Sequence, residues 1–291
     1  MDKTSSASRK NRQSSRSRSR AGCSPITGML GSRFNLAAML PRFHSSPAEA
    51  LPIEPVPTVF PTIEGADIAA VFVGKRIAGD FYDSIRVSSE RVLIGLLDVA
   101  GRREETRNLL VSAQEVFRTV GLQLFSPPDI NESDAMTELC LRINRRLIDV
   151  CCGVHSCPAF LACYHEKFGT LCYTNAGHTP ALLRDATGIT ELASTGLPLG
   201  LFSHATSEGP TVGMASEASL LLVSHGVVEC EGHSKGESGT FGLDRVKDAF
   251  HLAPPGTALS LCDLVLKKVA DYSSQSPVCD DRTALALVRT Y

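Results

Sequence analysis

Ala78-Gly79-Asp80-Phe81-Tyr82-Asp83, followed by Leu97-Asp98-Val99-Ala100-Gly101, decides how this chain is read. Each stretch sets carboxylates at the end of an apolar, strand-like run, where a turn must follow. A third such arrangement lies far downstream, where Cys279-Asp280-Asp281-Arg282-Thr283 leads into Ala284-Leu285-Ala286-Leu287-Val288. Acidic residues at strand ends, drawn from distant parts of one chain, suit a hard divalent cation. Magnesium and manganese prefer oxygen ligands, keep several waters, and are held by few carboxylates together with substrate phosphate. The pattern points to metal-assisted phosphoryl hydrolysis.

Working outward, Asp67–Lys75 reads as a strand, and Asp80–Val87 with Arg91–Asp98 as a hairpin around Ser88-Ser89-Glu90. Arg102–Phe125 has helical spacing, with Leu109, Leu110, Ala113, Val116, Phe117 and Val120 on one face, and Pro127-Pro128 ends it. Asn131-Glu132-Ser133-Asp134 can cap a second helix whose face carries Met136, Leu139, Ile143 and Leu147. Strands follow at Ala159–Tyr164, Thr170–Asn175, Ala181–Arg184 and Leu220–Ser224. Helices over Leu243–Leu252 and Thr257–Tyr272 precede the closing strand. This order predicts an α+β domain.

The net charge of −2 over 291 residues hides an asymmetry. Residues 1–44 hold nine Lys/Arg and one acid, whereas the remainder holds 20 basic and 30 acidic side chains. Residues 1–22, nearly free of apolar side chains, are expected to be disordered. The Ser-Arg alternation at 14–20 reads as a solvated tail, with contact to an anionic partner such as nucleic acid or lipid as the alternative. Residues 23–62, studded with Pro, read as a linker, and the folded domain is expected over 63–291. No run approaches the roughly 18 to 20 apolar residues of a membrane span, and no secretory segment is recognisable. A cytoplasmic location is expected. The ten Cys include no CxxC pair, so buried small hydrophobes in a reducing compartment are expected and zinc is not.

Beyond these residues, the ordered set of motifs resembles the PPM-type (type 2C) metal-dependent protein phosphatases. The branch it resembles is the bacterial one typified by stage II sporulation E and the sigma-regulator phosphatases. The motifs are Gly79-Asp80-Phe81-Tyr82-Asp83, Asp98-Val99-Ala100-Gly101 and Tyr173-Thr174-Asn175-Ala176-Gly177-His178-Thr179-Pro180. They continue through Thr195-Gly196-Leu197-Pro198-Leu199-Gly200, Gly226-Val227-Val228-Glu229, Phe241-Gly242 and Asp280-Asp281-Arg282-Thr283. The resemblance implies a β-sandwich flanked by α-helices in α-β-β-α layers, with two Mn²⁺ or Mg²⁺ ions in a cleft at one end. It implies that Asp98 bridges the ions, that the Val99 carbonyl completes one shell, and that Asp280 binds one ion. Asp80 is implied to act directly or through water, supported by Asp83. The implied reaction is hydrolysis of phosphoserine or phosphothreonine in a regulatory protein, such as an anti-sigma-factor antagonist.

The sequence departs from that pattern in places. Ser224-His225-Gly226 stands where the family has Thr-Asp-Gly with a ligating Asp. A neutral imidazole binds Mn²⁺ but suits Mg²⁺ poorly. Three readings stay open: His225 as substitute ligand, a site with fewer metals, or a catalytically weak pseudophosphatase that binds phosphoproteins. Gly101-Arg102-Arg103-Glu104-Glu105 replaces the family's Gly-Lys-Gly, so Arg102 or Arg103 either grips phosphate or is a solvated pair. Ala78 stands where a further Gly is common. His178 is read either as a general acid or as a structural tie for its loop. With only a short stretch ahead of residue 63, regulation is expected from another chain, from oligomerisation, or not at all.

Overall fold

Alternation along Arg91-Val92-Leu93-Ile94-Gly95-Leu96-Leu97-Asp98-Val99 sorts the apolar side chains of this run onto two faces, because successive strand residues point in opposite directions. Val92, Ile94 and Leu96 join one buried cluster, while Leu93, Leu97 and Val99 join another. A strand covered on both faces explains why the run is almost continuously apolar.

The computed structural model describes residues 54–74, 79–99, 103–151, 153, 155–232, 239–273 and 280–291, with the backbone alone at 103–105. The expected tail at 1–22, the linker up to residue 53, Ala78, Ala100, Gly101, Arg102 and Cys279 lie outside the described residues, as does the side chain of Arg103.

Twelve strands and five helices are described: β1 (Ala66–Val73), β2 (Gly79–Arg86), β3 (Arg91–Val99), α1 (Arg103–Phe125), α2 (Glu132–Cys151), β4 (Ala159–His165), β5 (Thr170–Ala176) and β6 (Ala181–Asp185) come first. They are followed by β7 (Gly188–Leu192), β8 (Thr211–Gly213), β9 (Ser219–Val223), α3 (His225–Val228), β10 (Glu231–Gly232), β11 (Gly239–Thr240), α4 (Gly242–His251), α5 (Ala258–Tyr272) and β12 (Arg282–Arg289). Two five-stranded antiparallel sheets form, ordered β1-β12-β9-β6-β7 and β2-β3-β4-β5-β8. Between them, Ile94, Leu96, Phe160 and Tyr164 meet Ile68, Leu220, Leu285 and Leu287. The outer face of the second sheet packs through Leu93, Leu97 and Leu161 on Leu109, Phe117, Met136, Leu139 and Ile143 of α1 and α2. The outer face of the first packs through Leu221, Val223, Ala284 and Ala286 on Val246, Phe250, Val265 and Val269 of α4 and α5. The layering is α-β-β-α, as the motifs implied.

The long elements match their sequence signals to within a few residues. Thr257 caps α5, its side chain accepting from the Ser260 amide at 3.2 Å. The short strands β7, β8, β10 and β11 escape a periodicity reading. They have two to five residues and largely exposed patterns, so too little burial marks them. Of the described cysteines, Cys140, Cys157, Cys163, Cys172, Cys230 and Cys262 are buried free thiols and Cys151 is a half-buried one.

Part of the Pro-rich stretch is seated on the domain. Gln114 on α1 grips both backbone groups of Val56, donating to its carbonyl at 2.8 Å and accepting from its amide at 2.7 Å. The Thr58 hydroxyl donates to the Tyr82 carbonyl at 2.8 Å, and the Phe60 ring stacks on Tyr82. Beneath them Asp83, only 1% exposed, receives the Arg118 guanidinium through two bonds of 2.6 and 2.9 Å and one from Gln114 at 3.1 Å. Removing one partner of a buried ion pair strands the other charge. Arg118→Ala is therefore expected to lower stability in urea denaturation by roughly 2–3 kcal/mol. Arg118→Lys should recover less than half of that, since an ammonium cannot make the paired contact.

Candidate active site

The antiparallel register of β2 and β3 sets Asp80 directly opposite Asp98. The strands close this tightly because Gly79 faces Val99: a Cβ at residue 79 would stand 2.6 Å from the Val99 oxygen and 2.8 Å from its Cβ. Like charges directly opposite each other in a sheet destabilise it. Other segments then converge on the pair. The Thr283 hydroxyl of β12 donates to Asp80 Oδ2 at 2.7 Å. The His225 amide, at the start of α3, donates to Asp98 Oδ2 at 2.9 Å, and His225 Nδ1 lies 3.3 Å from the same oxygen. Gly226 lets α3 settle on the Asp280-Asp281 turn, since a Cβ there would come within 2.0 Å of the Asp281 carbonyl oxygen. The Asp281 amide in turn donates to Asp280 Oδ1 at 2.8 Å.

Asp80, Asp98, Val99, His225 and Asp280, separated by up to two hundred positions, thus share one neighbourhood. Thr283, Ser224 and the buried Asp281 belong to it as well, and the sequence reading gave them no role. Thr283 and Asp281 sit inside a quoted motif, so position within the motif was the available signal.

The electrostatics follow from this crowding. Burial first, then the charges of Asp98 and Asp281, push Asp80 up to about 8, against hydrogen bonds from Ser224 and Thr283. Burial also works to raise Asp98. Hydrogen bonds from the His225 side chain and backbone, with the charges of His178 and His225, nevertheless hold it below the ordinary carboxylate value. Asp280 is raised by burial and by the charges of Asp98 and Glu229. His225 is raised, chiefly by its hydrogen bond to Asp98. Two facing carboxylates that cannot both ionise freely hold either a shared proton or a cation.

The donor set suits a hard divalent cation: Asp80, Asp98 and Asp280 offer carboxylates, Val99 a carbonyl and His225 a nitrogen. Among the described residues no three His, Cys, Asp or Glu side chains stand close enough to surround one ion. Mg²⁺ and Mn²⁺ take one or two carboxylates and fill the rest of the shell with water.

The Asn-Ala-Gly-His turn is tied by its own side chains. Asn175 Oδ1 accepts from the His178 amide at 2.8 Å, and Asn175 Nδ2 donates to the Leu192 carbonyl at 3.1 Å. His178 Nδ1 lies 3.0 Å from the Thr179 carbonyl, which can only accept, so Nδ1 carries the proton. Nε2 is buried without a hydrogen-bond partner, and the ring lies 6.4 Å from that of His225. Burial pushes His178 down to about 4. With Nδ1 tied to the Thr179 carbonyl and the ring neutral near pH 7, His178 holds its loop through Asn175 and Thr179.

A sequence model described as stage II sporulation protein E (SpoIIE) matches residues 88–290. The chain belongs to the SpoIIE family. A curated relative of this SpoIIE-family chain, the phosphoserine phosphatase RsbP of Bacillus subtilis, is 26% identical over 155 residues. That match spans 53% of this chain and 37% of RsbP. The PP2C domain of SiaA from Pseudomonas aeruginosa superposes with a TM-score of 0.64 at 16% identity, over 77% of this chain and 84% of that domain. RsbX, solved in complex with magnesium, superposes with a TM-score of 0.54 at 10% identity, over 78% and 97% of the two chains. These likenesses establish the PPM phosphatase fold.

The depressed His178 has a consequence for stability. Between its folded value of about 4 and its ordinary 6.5, the unfolded chain binds the extra proton. His178 therefore contributes a loss of stability as pH falls through that window. Nitrogen chemical shifts should report a neutral His178 ring protonated at Nδ1 down to about pH 5. A His178→Gln variant should show a flatter fall in melting temperature between pH 6.5 and 4.

Proposed function

We propose that this chain is a divalent-cation-dependent protein serine/threonine phosphatase of the cytoplasm. Its substrate is a phosphorylated regulatory protein of the anti-sigma-factor-antagonist kind. The observation that carries the reading is the pairing of Asp80 with Asp98 at strand ends, with Asp280 near enough to feel the Asp98 charge and Asp80 pushed up to about 8 chiefly by burial and then by Asp98. Such a concentration of buried negative charge is the complement of a bound cation. Membership of the SpoIIE family and the likeness to the phosphoserine phosphatase RsbP support the choice of phosphoester. No helix among the described residues is long and apolar enough to cross a membrane.

Asp80, Asp98, Asp280, the Val99 carbonyl and His225 would hold one or two Mn²⁺ or Mg²⁺ ions. When bound, the ions supply an activated water and neutralise phosphate oxygens. The protein's own part is placement. Thr283 fixes the Asp80 carboxylate, and the His225 amide fixes Asp98 Oδ2. Preorganised groups of this kind cost no reorganisation as charge develops on the phosphoryl group. His178 keeps the loop beside the centre in one conformation through Asn175 and Thr179. No covalent enzyme intermediate is needed, and the buried cysteines take no part.

The direct test is hydrolysis of p-nitrophenyl phosphate and phosphoserine protein with added Mn²⁺. Chelator is expected to abolish it, and Asp98→Asn and Asp280→Asn each to lower kcat by about 100-fold or more. Turnover indifferent to chelator and to both substitutions would refute the mechanism. A second measurement concerns the nitrogen donor: His225→Asp should raise Mg²⁺-supported turnover relative to Mn²⁺-supported turnover, since an all-oxygen shell suits the harder ion.

A further inference from the structure

Two histidines beside the carboxylate pair are held in the same way. His178 Nδ1 lies 3.0 Å from the Thr179 carbonyl, and His225 Nδ1 lies 3.3 Å from Asp98 Oδ2. A carbonyl or an ionised carboxylate can only accept, so Nδ1 carries a proton in both rings. Each Nε2 then points away from its ring's acceptor. In His178 that nitrogen is buried and has no hydrogen-bond partner, on a residue only 4% exposed. Proteins present imidazoles to metal ions in this manner. The other ring nitrogen donates to a carbonyl or carboxylate, which fixes the tautomer and orientation and makes the ligating nitrogen more basic.

The two rings are also close to the right distance apart. Their planes stand at 80° with centroids separated by 6.4 Å. Two imidazoles on one tetrahedral ion, with metal–nitrogen distances of about 2.1 Å, have centroids roughly 5–6 Å apart. A small rotation of His225, whose side chain is 37% exposed, closes the difference. The Asp98 charge acts on both rings and favours a cation between them. Nitrogen donors choose among cations: imidazole suits Zn²⁺ and other late first-row ions and serves Mg²⁺ poorly. The competing occupant is a water, for which the neighbouring Thr179 hydroxyl, also buried and unpartnered, offers a second contact.

We infer that His178 and His225 form a two-nitrogen site for a borderline transition-metal ion of the Zn²⁺ class, beside the Asp80–Asp98 pair. Water or a phosphate oxygen fills the remaining positions. Two protein nitrogens agree with the finding that, among the described residues, no three candidate side chains surround one ion. The site shares His225 with the centre proposed above and adds to it a donor, His178, and a preference among ions. It stands on the two rings and not on the phosphatase reading.

The test uses the full chain, stripped of metal by chelator and titrated with Zn²⁺ without substrate. In nitrogen NMR the His178 Nε2 resonance should move as Zn²⁺ is added, while Nδ1 keeps its proton. His178→Asn retains an amide nitrogen where Nδ1 stands, so it preserves the tie to Thr179 and removes Nε2 alone. By calorimetry this variant should bind Zn²⁺ about tenfold more weakly or worse, with Mg²⁺ binding changed by less than about twofold. Combined with His225→Ala it should lose no more than the weaker single variant, because either change dissolves the same site. Zn²⁺ that leaves the His178 nitrogen unmoved, or binds His178→Asn as tightly as the parent, would overturn the site and leave water as the occupant. Equal weakening of Mg²⁺ would overturn it too, since that marks a general loss of the centre. Should His178→Asn fail to fold, the nitrogen response of the unmodified protein decides alone. Hydrolysis of p-nitrophenyl phosphate with Mn²⁺, measured in parallel, judges the phosphatase reading separately. An inactive protein whose His178 responds to Zn²⁺ keeps the site and loses that reading, and an active one whose His178 does not respond loses only the site.

Discussion

Asp80 and Asp98 face each other across two hydrogen-bonded strands, largely out of water and with like charge. A sheet does not adopt such a pairing for stability, because opposed carboxylates repel and burial penalises each of them. Much of what surrounds them serves to keep the arrangement in place. Gly79 removes the side chain that would hold the strands apart, Thr283 pins one carboxylate, and the His225 amide pins the other. Three residues along the same strand, Asp83 shows the alternative solution. It is fully buried and fully satisfied by Arg118, Gln114 and Thr58. One strand therefore carries an acid neutralised by its partners and another set against a like charge.

The layered architecture explains where that frustration can be stored. Helices cover both outer faces and the two sheets cover each other, so the faces of the central strands are committed to packing. Strand ends are not so committed. β2, β3, β9 and β12 bring Asp80, Asp98, His225 and Asp280 to such ends, where a polar group can be held by backbone geometry without displacing the core. His225 sits on a helix of four residues, positioned by its backbone and ring contacts with Asp98.

Much of this was legible in the sequence, for identifiable reasons. Long buried elements such as β3, α1 and α2 announce themselves because burial on a fixed face imposes a period. The carboxylates at 80, 98 and 280 stood out because an acid is out of place at the end of an apolar run. Less visible were features that depend on pairing across distance. The seating of Val56 on Gln114 joins residues 58 positions apart through backbone groups that any residue carries, so a Pro-rich stretch was read only as a linker. The edge strands β7 and β8 bury too little to leave a pattern. His165 is buried against Phe168 at the end of β4, a placement that no neighbouring residue signals.

β1 pairs along its whole length with β12, from Ala66 opposite Arg289 to Val73 opposite Arg282. An early strand of the domain thus waits for its final strand before one of its sheets is complete. Contacts so distant along the chain are slow to form, because loop closure must be overcome before they reward it. On the ribosome, β1 would emerge long before its partner and remain an unpaired edge until β12 had emerged. Thr283 lies on that late strand, so the hydrogen bond that fixes Asp80 is among the last to form. A truncated or prematurely released chain would carry its acidic residues yet lack the strand that gathers them.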